Sequence, residues 1–458
     1  MTGRPPEQTD TPAVATPGSY SRTIAPTSNH PATRSYRLGR LPFTLSGDGE
    51  CASYLQAELA SLRESESCAK SSTVPFVPRL AFDFVHALPP LRDYTATVPV
   101  YAMEDSFRVS YNSLNYHVSR LAGVVNADAQ SGRSVPAAAD FESGSATVES
   151  ESESSSLLPA SCFPLPFSGP LLPPAGLHVA LRPDDFGRRH RWFSTLYRAR
   201  DWNFLSSEET HAKNFMYGVF DYLTHIAQLQ LGQSYIHASS LERDGEGTAI
   251  VAWGGIGKTS AALKLITEHG FSFLSDDLGL VDDAGTVWRT PKRLQVYAYN
   301  LEGEERLRSM LLDGRSVLDR AAWAWKLQRR GPKGVRRRVS AEELFGAQSV
   351  ARSAPLKRVF CLERGDAKGF EAREITTEEL THRAAEVVMH EIEPFGLLSR
   401  ALHSGHHSPI LPTQDEVVTA TRAVLRRAFD GIPVLGVRIP LATPPSTLAT
   451  FLLSLIEK

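Results

Sequence analysis

The sequence predicts an α/β fold with a β-rich N-terminal part. A strand, a glycine loop, a helix and a second strand follow one another within residues 248–275, and this order is typical of α/β domains. Alternating or β-branched runs recur between residues 36 and 121, bounded by polar residues and proline. The chain has 458 residues, of which 42% are hydrophobic and 22% charged, a composition typical of folded proteins with more than one domain.

Composition also argues against several classes of protein. The formal net charge is −2, which disfavours nucleic acid as a partner. We find no run of about 18 apolar residues, so we expect no membrane contact. Cys51, Cys68, Cys162 and Cys361 are scattered without CxxC spacing, which fits neither a disulfide framework nor a zinc site and favours a cytoplasmic protein.

The chain divides into six predicted regions. These are a disordered tail at 1–34, a β-rich N-terminal domain at 35–124, a low-complexity insertion at 125–160, the rest of the N-terminal domain with a connecting helix at 161–234, a domain built around the glycine loop at 235–445, and a C-terminal helix at 446–458. The tail is rich in Pro, Thr and Ser, and the insertion contains an acidic serine run. Neither segment can bury enough apolar surface to offset the entropy of ordering.

The glycine loop is the segment most informative about chemistry. Its residues match the pattern G-x-x-x-x-G-K-[ST], except that Ala252 replaces the first glycine. In such a P-loop the backbone N–H groups surround phosphates at the start of a helix, the lysine neutralises the β- and γ-phosphates, and the hydroxyl binds Mg²⁺. ATP and Mg²⁺ are therefore the expected ligands, bound by Ala252, Trp253, Gly254, Gly255, Ile256, Gly257, Lys258, Thr259 and Ser260. The alternative is an ordinary glycine-rich turn before a helix.

Two adjacent carboxylates follow the returning strand. Asp276 and Asp277 stand 17 and 18 residues after Thr259, and the carboxyl ends of parallel strands lie beside the loop in an open α/β sheet. One carboxylate could bind Mg²⁺ while the other accepts a proton from a hydroxyl substrate. The alternative is a polar turn that begins a hairpin over 278–288.

Residues 235–288 resemble the HPr kinase/phosphorylase family, in which a histidine-containing strand precedes the P-loop and an Asp-Asp pair closes the next strand. The resemblance implies a P-loop kinase core like that of HPr kinase and phosphoenolpyruvate carboxykinase. It implies that Asp276 activates the acceptor hydroxyl and that Asp277 is the partner carboxylate, a metal ligand together with Thr259. It also places His237 near this pair and gives Lys258 a catalytic role. On the residues alone, His237 could equally be a core histidine.

The activity implied by this resemblance is ATP-dependent phosphorylation of a hydroxyl. The acceptor would be a serine of a peptide or protein, including a natural-product precursor peptide, or a small-molecule alcohol, and relatives often form homo-oligomers. The glycine-rich signature with which HPr kinases dock HPr is missing, which disfavours HPr itself as the acceptor. Ala252 and Trp253 leave two alternatives open: a regulatory nucleotide-binding module, or a scaffold with a degenerate kinase core.

A basic run spans Lys326–Arg338. It could clamp phosphates or an acidic substrate through arginine, or bind nucleic acid, although no aromatic residues interleave it. We interpret it as a solvated, mobile loop.

Overall fold

The computed structural model describes residues 33–47, 50–63, 79–84, 95–97, 100–102, 106–111, 114–120, 171–173, 176–183, 204–404, 410–441, 443 and 445–458. The insertion predicted at 125–160 and nearly all of the tail predicted at 1–34 lie outside these residues. The fold is mixed α/β, as the sequence predicts. In the part of the chain that is described, no helix is long and apolar enough to cross a membrane.

An eight-stranded sheet forms the N-terminal part. Its strands are β1 (Arg34–Leu38), β2 (Leu41–Gly47), β3 (Leu80–Phe84), β4 (Thr95–Thr97), β5 (Val100–Ala102), β6 (Ser106–Tyr111), β7 (Leu114–Arg120) and β8 (Leu177–Pro183). They lie in the order β1-β2-β3-β8-β7-β6-β5-β4. The β2–β3 and β3–β8 pairs are parallel, and the others are antiparallel.

A second, nine-stranded sheet carries the candidate site. Its strands are β9 (Gln233–Ile236), β10 (Ala238–Arg243), β11 (Glu246–Val251), β12 (Ser272–Ser275), β13 (Gly279–Asp282), β14 (Thr286–Trp288), β17 (Ser353–Gly365), β18 (Glu371–Glu374) and β19 (Val434–Pro440). The main path is β12-β10-β11-β17-β14-β13-β9, and β19 pairs with both β17 and β18. β15 (Leu294–Tyr297) and β16 (Arg336–Val339) form a separate antiparallel pair.

Eleven α-helices occur among the described residues. They are α1 (Glu50–Glu58), α2 (Ser207–Phe215), α3 (Asp221–Gln230), α4 (Lys258–His269), α5 (Glu305–Leu312), α6 (Val317–Arg330), α7 (Ala341–Phe345), α8 (Thr377–Glu391), α9 (Glu393–His403), α10 (Gln414–Ala428) and α11 (Pro445–Ile456). A π-helical turn, Met216–Phe220, joins α2 to α3. Gly270 is the C-cap of α4 and has the left-handed conformation (φ 70°), which glycine adopts without steric cost.

Strand directions bring the loop and the two aspartates to one edge of the sheet. β11 is parallel to β17 and antiparallel to β10, and β10 is antiparallel to β12. β11 and β12 therefore run in the same direction with β10 between them. Because the glycine loop follows β11 and the aspartates follow β12, both leave the sheet at the carboxyl edge. We expected the aspartates to follow a strand parallel to β11. β12 does run parallel to β11, but its hydrogen-bonded neighbour is β10, which is antiparallel to it.

The N-terminal sheet shares its hydrophobic core with helices of the second half. Phe82 of β3, Phe220 of the π turn and Phe395 of α9 belong to one buried cluster, and the rings of Phe82 and Phe220 lie 5.6 Å apart. The π turn is thus anchored in the N-terminal core, close to the edge where the candidate site forms.

Candidate functional site

The glycine loop opens onto solvent at its centre. Gly255 and Gly257 have positive φ values of 78° and 115°, a region that other residues enter only at a cost. A Cβ atom at Gly254 or Gly255 would meet no atom within 4 Å. Ala252 does not have a positive φ, so alanine is accommodated where the motif usually has glycine. The loop therefore forms an open main-chain turn at the start of α4, a geometry suited to phosphate oxygens.

Lys258, the first residue of α4, points into the site. Lys258 is only 7% exposed, and its Nζ lies 2.6 Å from Nε2 of His237. Burial lowers the pKa of Lys258, although the carboxylates of Asp276, Asp277 and Glu391 oppose that shift. A buried ammonium group in an open loop is suited to neutralising an anion.

His237 lies where the chain passes from one half of the sheet to the other. It separates β9, which pairs with β13, from β10, which pairs with β11. Its Nδ1 is 2.9 Å from Oε1 of Glu391 at the end of α8. When Lys258 is protonated it donates to Nε2, so the ring proton stands on Nδ1 and faces Glu391.

Asp276 lies against the hydroxyl group of the loop. Thr259 Oγ1 is 3.0 and 3.2 Å from the two carboxylate oxygens of Asp276, and Ser239 also donates a hydrogen bond to Asp276. Burial raises the pKa of Asp276, against the opposing charge of Lys258. A threonine hydroxyl beside a carboxylate is a pair of hard oxygen donors of the kind that Mg²⁺ prefers.

Asp277 has a different environment from its neighbour. Its backbone is left-handed, with φ 73°, an unusual conformation for a residue other than glycine. Lys292 Nζ lies 3.5 Å from Oδ2 of Asp277, and the Tyr217 hydroxyl donates to the same oxygen at 3.3 Å. Burial by itself raises the pKa of Asp277, but nearby cations, above all Lys292, outweigh it and the pKa falls below its ordinary value.

The cleft in front of these groups has a volume of about 980 Å³. It is large enough for a nucleotide and part of a second substrate, since ligand pockets usually measure roughly 300–1,000 Å³. Its walls combine the loop with aromatic, basic and amide side chains of other segments, namely Lys213, Tyr217, Gln295, Tyr297, Tyr299, Lys333, Arg336 and Arg364. Arg364 donates to the carbonyl oxygen of Ile256 at 3.3 Å and so ties the loop to the end of β17.

The structure brings together most of the residues that the sequence singles out. Lys258, Thr259, His237, Asp276 and Asp277 all line the cleft. The pairing of the oxygen donors differs from the expectation, because Thr259 contacts Asp276 and not Asp277.

Trp253 and Ser260 of the loop contact residues that do not line the cleft. Trp253 is 49% exposed, with its ring centroid 5.5 Å from that of His390, and Ser260 accepts a hydrogen bond from Asn300 at 2.6 Å.

Several site residues have no recognisable sequence signal. Glu391, Lys292, Tyr217 and Asp221 come from segments outside the motif, and only the tertiary fold brings them to the aspartates. Ser239 was within reach of sequence reasoning, because it stands two residues after His237 on the strand beside the loop. Among the described residues, His237, Asp277 and Glu391 also form a group whose ligand atoms lie within 4.8 Å of one another, the spacing that a metal ion could bridge.

The basic run is not a solvated loop, so that interpretation was wrong. Lys326 is fully buried in α6, with its Nζ 3.3 Å from the centroid of the Phe204 ring. Arg337 in β16 is 5% exposed and forms an ion pair with Asp319. The run thus divides between the end of α6 and strand β16, and the guanidinium of Arg337 lies over the rings of Phe204 and Trp323.

Comparisons with known proteins give likenesses among solved structures alone. No family model and no curated protein matches the chain. Among solved structures, the chain is similar to the HPr(Ser) kinase/phosphatase from Coxiella burnetii, with 13% identity over 49% of this chain and 88% of that chain and a TM-score of 0.21. A TM-score this low carries no conclusion about function, which has to be inferred from the site itself.

Proposed function

We propose that the chain is an ATP-dependent kinase that transfers the γ-phosphate to a hydroxyl group. The observation that carries this proposal is the convergence of Lys258, Thr259 and Asp276 beside an open glycine loop. A lysine, a hydroxyl and a carboxylate at the start of a helix are the groups needed to bind a triphosphate together with a divalent cation. The predicted resemblance to HPr kinases is consistent with the same chemistry.

The surroundings of the two aspartates favour different roles for them. We assign Mg²⁺ to Thr259 and Asp276, whose oxygens lie within 3.2 Å of each other, in place of the predicted pair Thr259 and Asp277. The metal ion would neutralise charge on the phosphates. Asp277 faces the cleft and its lowered pKa keeps it ionised at neutral pH, as a proton acceptor requires.

In this proposal Lys258 binds the β- and γ-phosphates and leaves its contact with His237 to do so. The acceptor oxygen attacks the γ-phosphorus, the bond from that phosphorus to the bridging oxygen breaks, and ADP leaves. The acceptor proton passes to Asp277. His237, whose Nδ1 lies 2.9 Å from Oε1 of Glu391, would remain beside the transferred group. Most of the rate would come from positioning and charge neutralisation.

The acceptor is proposed as a serine of a peptide or protein, or an alcohol of similar size. Calorimetry with MgATP, followed by mass spectrometry of a pool of serine-containing peptides and small alcohols incubated with the chain, tests both halves of the proposal. We expect heat of binding, release of ADP and an acceptor that gains one phosphate. Binding without transfer to any acceptor would support the regulatory alternative, and the absence of binding heat would refute the proposal altogether.

A further inference from the structure

Behind Asp277 lies a group of buried polar side chains that the reaction described above does not use. Lys292 Nζ lies 2.9 Å from Oδ2 of Asp221 and 3.5 Å from Oδ2 of Asp277. The side chains of Lys292 and Asp221 are 5% and 2% exposed, and neither residue lines the cleft. Lys292 therefore touches the edge of the site from inside the protein and cannot meet a substrate directly.

The π turn explains how these groups reach one point. A π turn holds an extra residue and changes the direction of the side chains around it, and such turns often occur at functional sites. Tyr217 lies within the turn, and Asp221 is the first residue after it. Tyr217 donates to Asp277 and accepts from Gln295 at 2.8 Å, while its ring lies 4.3 Å from Lys292 Nζ. The turn and the first residue after it thus supply Tyr217 and the partner of Lys292.

Asp277 needs such support because its backbone is strained. A left-handed conformation (φ 73°) persists at a residue other than glycine only when its surroundings hold it there. Lys292 and Tyr217 both bind Oδ2. These two contacts restrain one carboxylate oxygen of a residue that lines the cleft.

We propose that Lys292, held in place by Asp221, is a positioning residue that orients the Asp277 carboxylate toward the acceptor hydroxyl. This inference rests on the proposed kinase function. It adds that the π turn and Lys292 contribute to the reaction itself, beyond the stability that the buried ion pair of Lys292 and Asp221 provides. If the pair were purely structural, its loss would affect stability alone. Removing one partner of a buried ion pair destabilises a protein, whereas replacing both partners often leaves its stability unchanged.

The double variant Lys292→Met with Asp221→Asn separates these two roles. The single variant Lys292→Met leaves Asp221 buried without its cation and should lower the melting temperature. The double variant removes the unpaired charge and should recover most of that loss. Turnover should behave differently: kcat should fall about 100-fold in both variants, because a small displacement of a reacting group has an effect of this size, while the dissociation constant for MgATP should stay within twofold.

The measurements are thermal unfolding, calorimetry with MgATP, and the rate of ADP formation with the phosphate acceptor found in the peptide and alcohol pool. The conservative variant Lys292→Arg should retain more turnover than Lys292→Met, because it keeps a cation beside Asp277. If the double variant recovers kcat together with the melting temperature, the pair is only structural and the inference fails. If the unmodified chain binds no MgATP or forms no ADP with any acceptor, the kinase proposal itself fails and this inference with it.

Discussion

Lys258 Nζ and His237 Nε2 lie 2.6 Å apart, so the lysine of the glycine loop rests on an imidazole whose other nitrogen faces Glu391. This contact places the only side-chain ammonium of the loop within the cleft before any phosphate arrives. A bound triphosphate would offer Lys258 anionic oxygens in place of a ring nitrogen, and hydrogen bonds from lysine to phosphate belong to the strong, charge-assisted kind.

The first prediction concerns this lysine. Lys258→Met should weaken MgATP binding about 10- to 100-fold, since a hydrogen bond to a charged group contributes roughly 1.5–3 kcal/mol. Lys264→Met is the matched control, because Lys264 lies on the same helix but pairs with Glu304 and Glu268 outside the cleft. Calorimetry with MgATP on both variants provides the measurement. Equal affinities of the two variants for MgATP would contradict a phosphate-binding role for Lys258.

The second prediction separates the two aspartates. Asp276→Asn should abolish the effect of Mg²⁺ on ATP affinity, because Asp276 is the carboxylate in contact with Thr259. Asp277→Asn should keep that effect and lower kcat by about 100-fold or more, the contribution expected of a general base. ATP titrations with and without Mg²⁺, together with rates of ADP formation, provide the measurement. The opposite pattern would assign the metal ion to Asp277.

The third prediction concerns Ala252, which stands where the motif has glycine. Ala252 is buried and has no positive φ, so Ala252→Gly should leave MgATP affinity within about twofold and lower the free energy of unfolding by about 0.5–1 kcal/mol through added chain entropy. Gly257→Ala is the contrast, because its φ of 115° should make alanine cost about 1–2 kcal/mol and distort the loop. Chemical denaturation and calorimetry test both, and a large gain in affinity for Ala252→Gly would contradict the prediction.

The fourth prediction concerns acid stability. Burial lowers the pKa of His225 to about 3, well below the usual value near 6.5. Below pH 6.5 the unfolded chain takes up a proton that the folded chain refuses, so stability falls as the pH falls. Between pH 7.5 and 5 this residue should remove about 2 kcal/mol of unfolding free energy.

The test for His225 is denaturation of the unmodified chain and of His225→Gln at several pH values. Subtracting the two free energies cancels the contribution of groups that both proteins share. The stability advantage of the unmodified chain over the variant should shrink by about 2 kcal/mol between pH 7.5 and 5. A difference that does not change with pH would show that His225 is protonated in the folded state.

Local patterns in the sequence were sufficient to predict the elements around the loop. The apolar run before Ala252 and the glycines at 254, 255 and 257 act within a few residues of chain, so their conformations follow from neighbouring residues. The placement of Asp276 and Asp277 directly after a strand followed from the same kind of pattern. These features need no knowledge of distant segments, because turn and cap preferences are set by local sterics and hydrogen bonds.

The tertiary structure alone decided which groups surround each aspartate. Thr259 meets Asp276, while Lys292 and Tyr217 meet Asp277, and neither pairing has a sequence signature. The basic run was misjudged for the same reason, because charge alone indicates exposure until aromatic rings from other segments cover the cations. Contacts between segments far apart in the chain depend on the strand order of the sheet and on the π turn before α3. Periodicity along the sequence encodes neither the strand order nor the π turn.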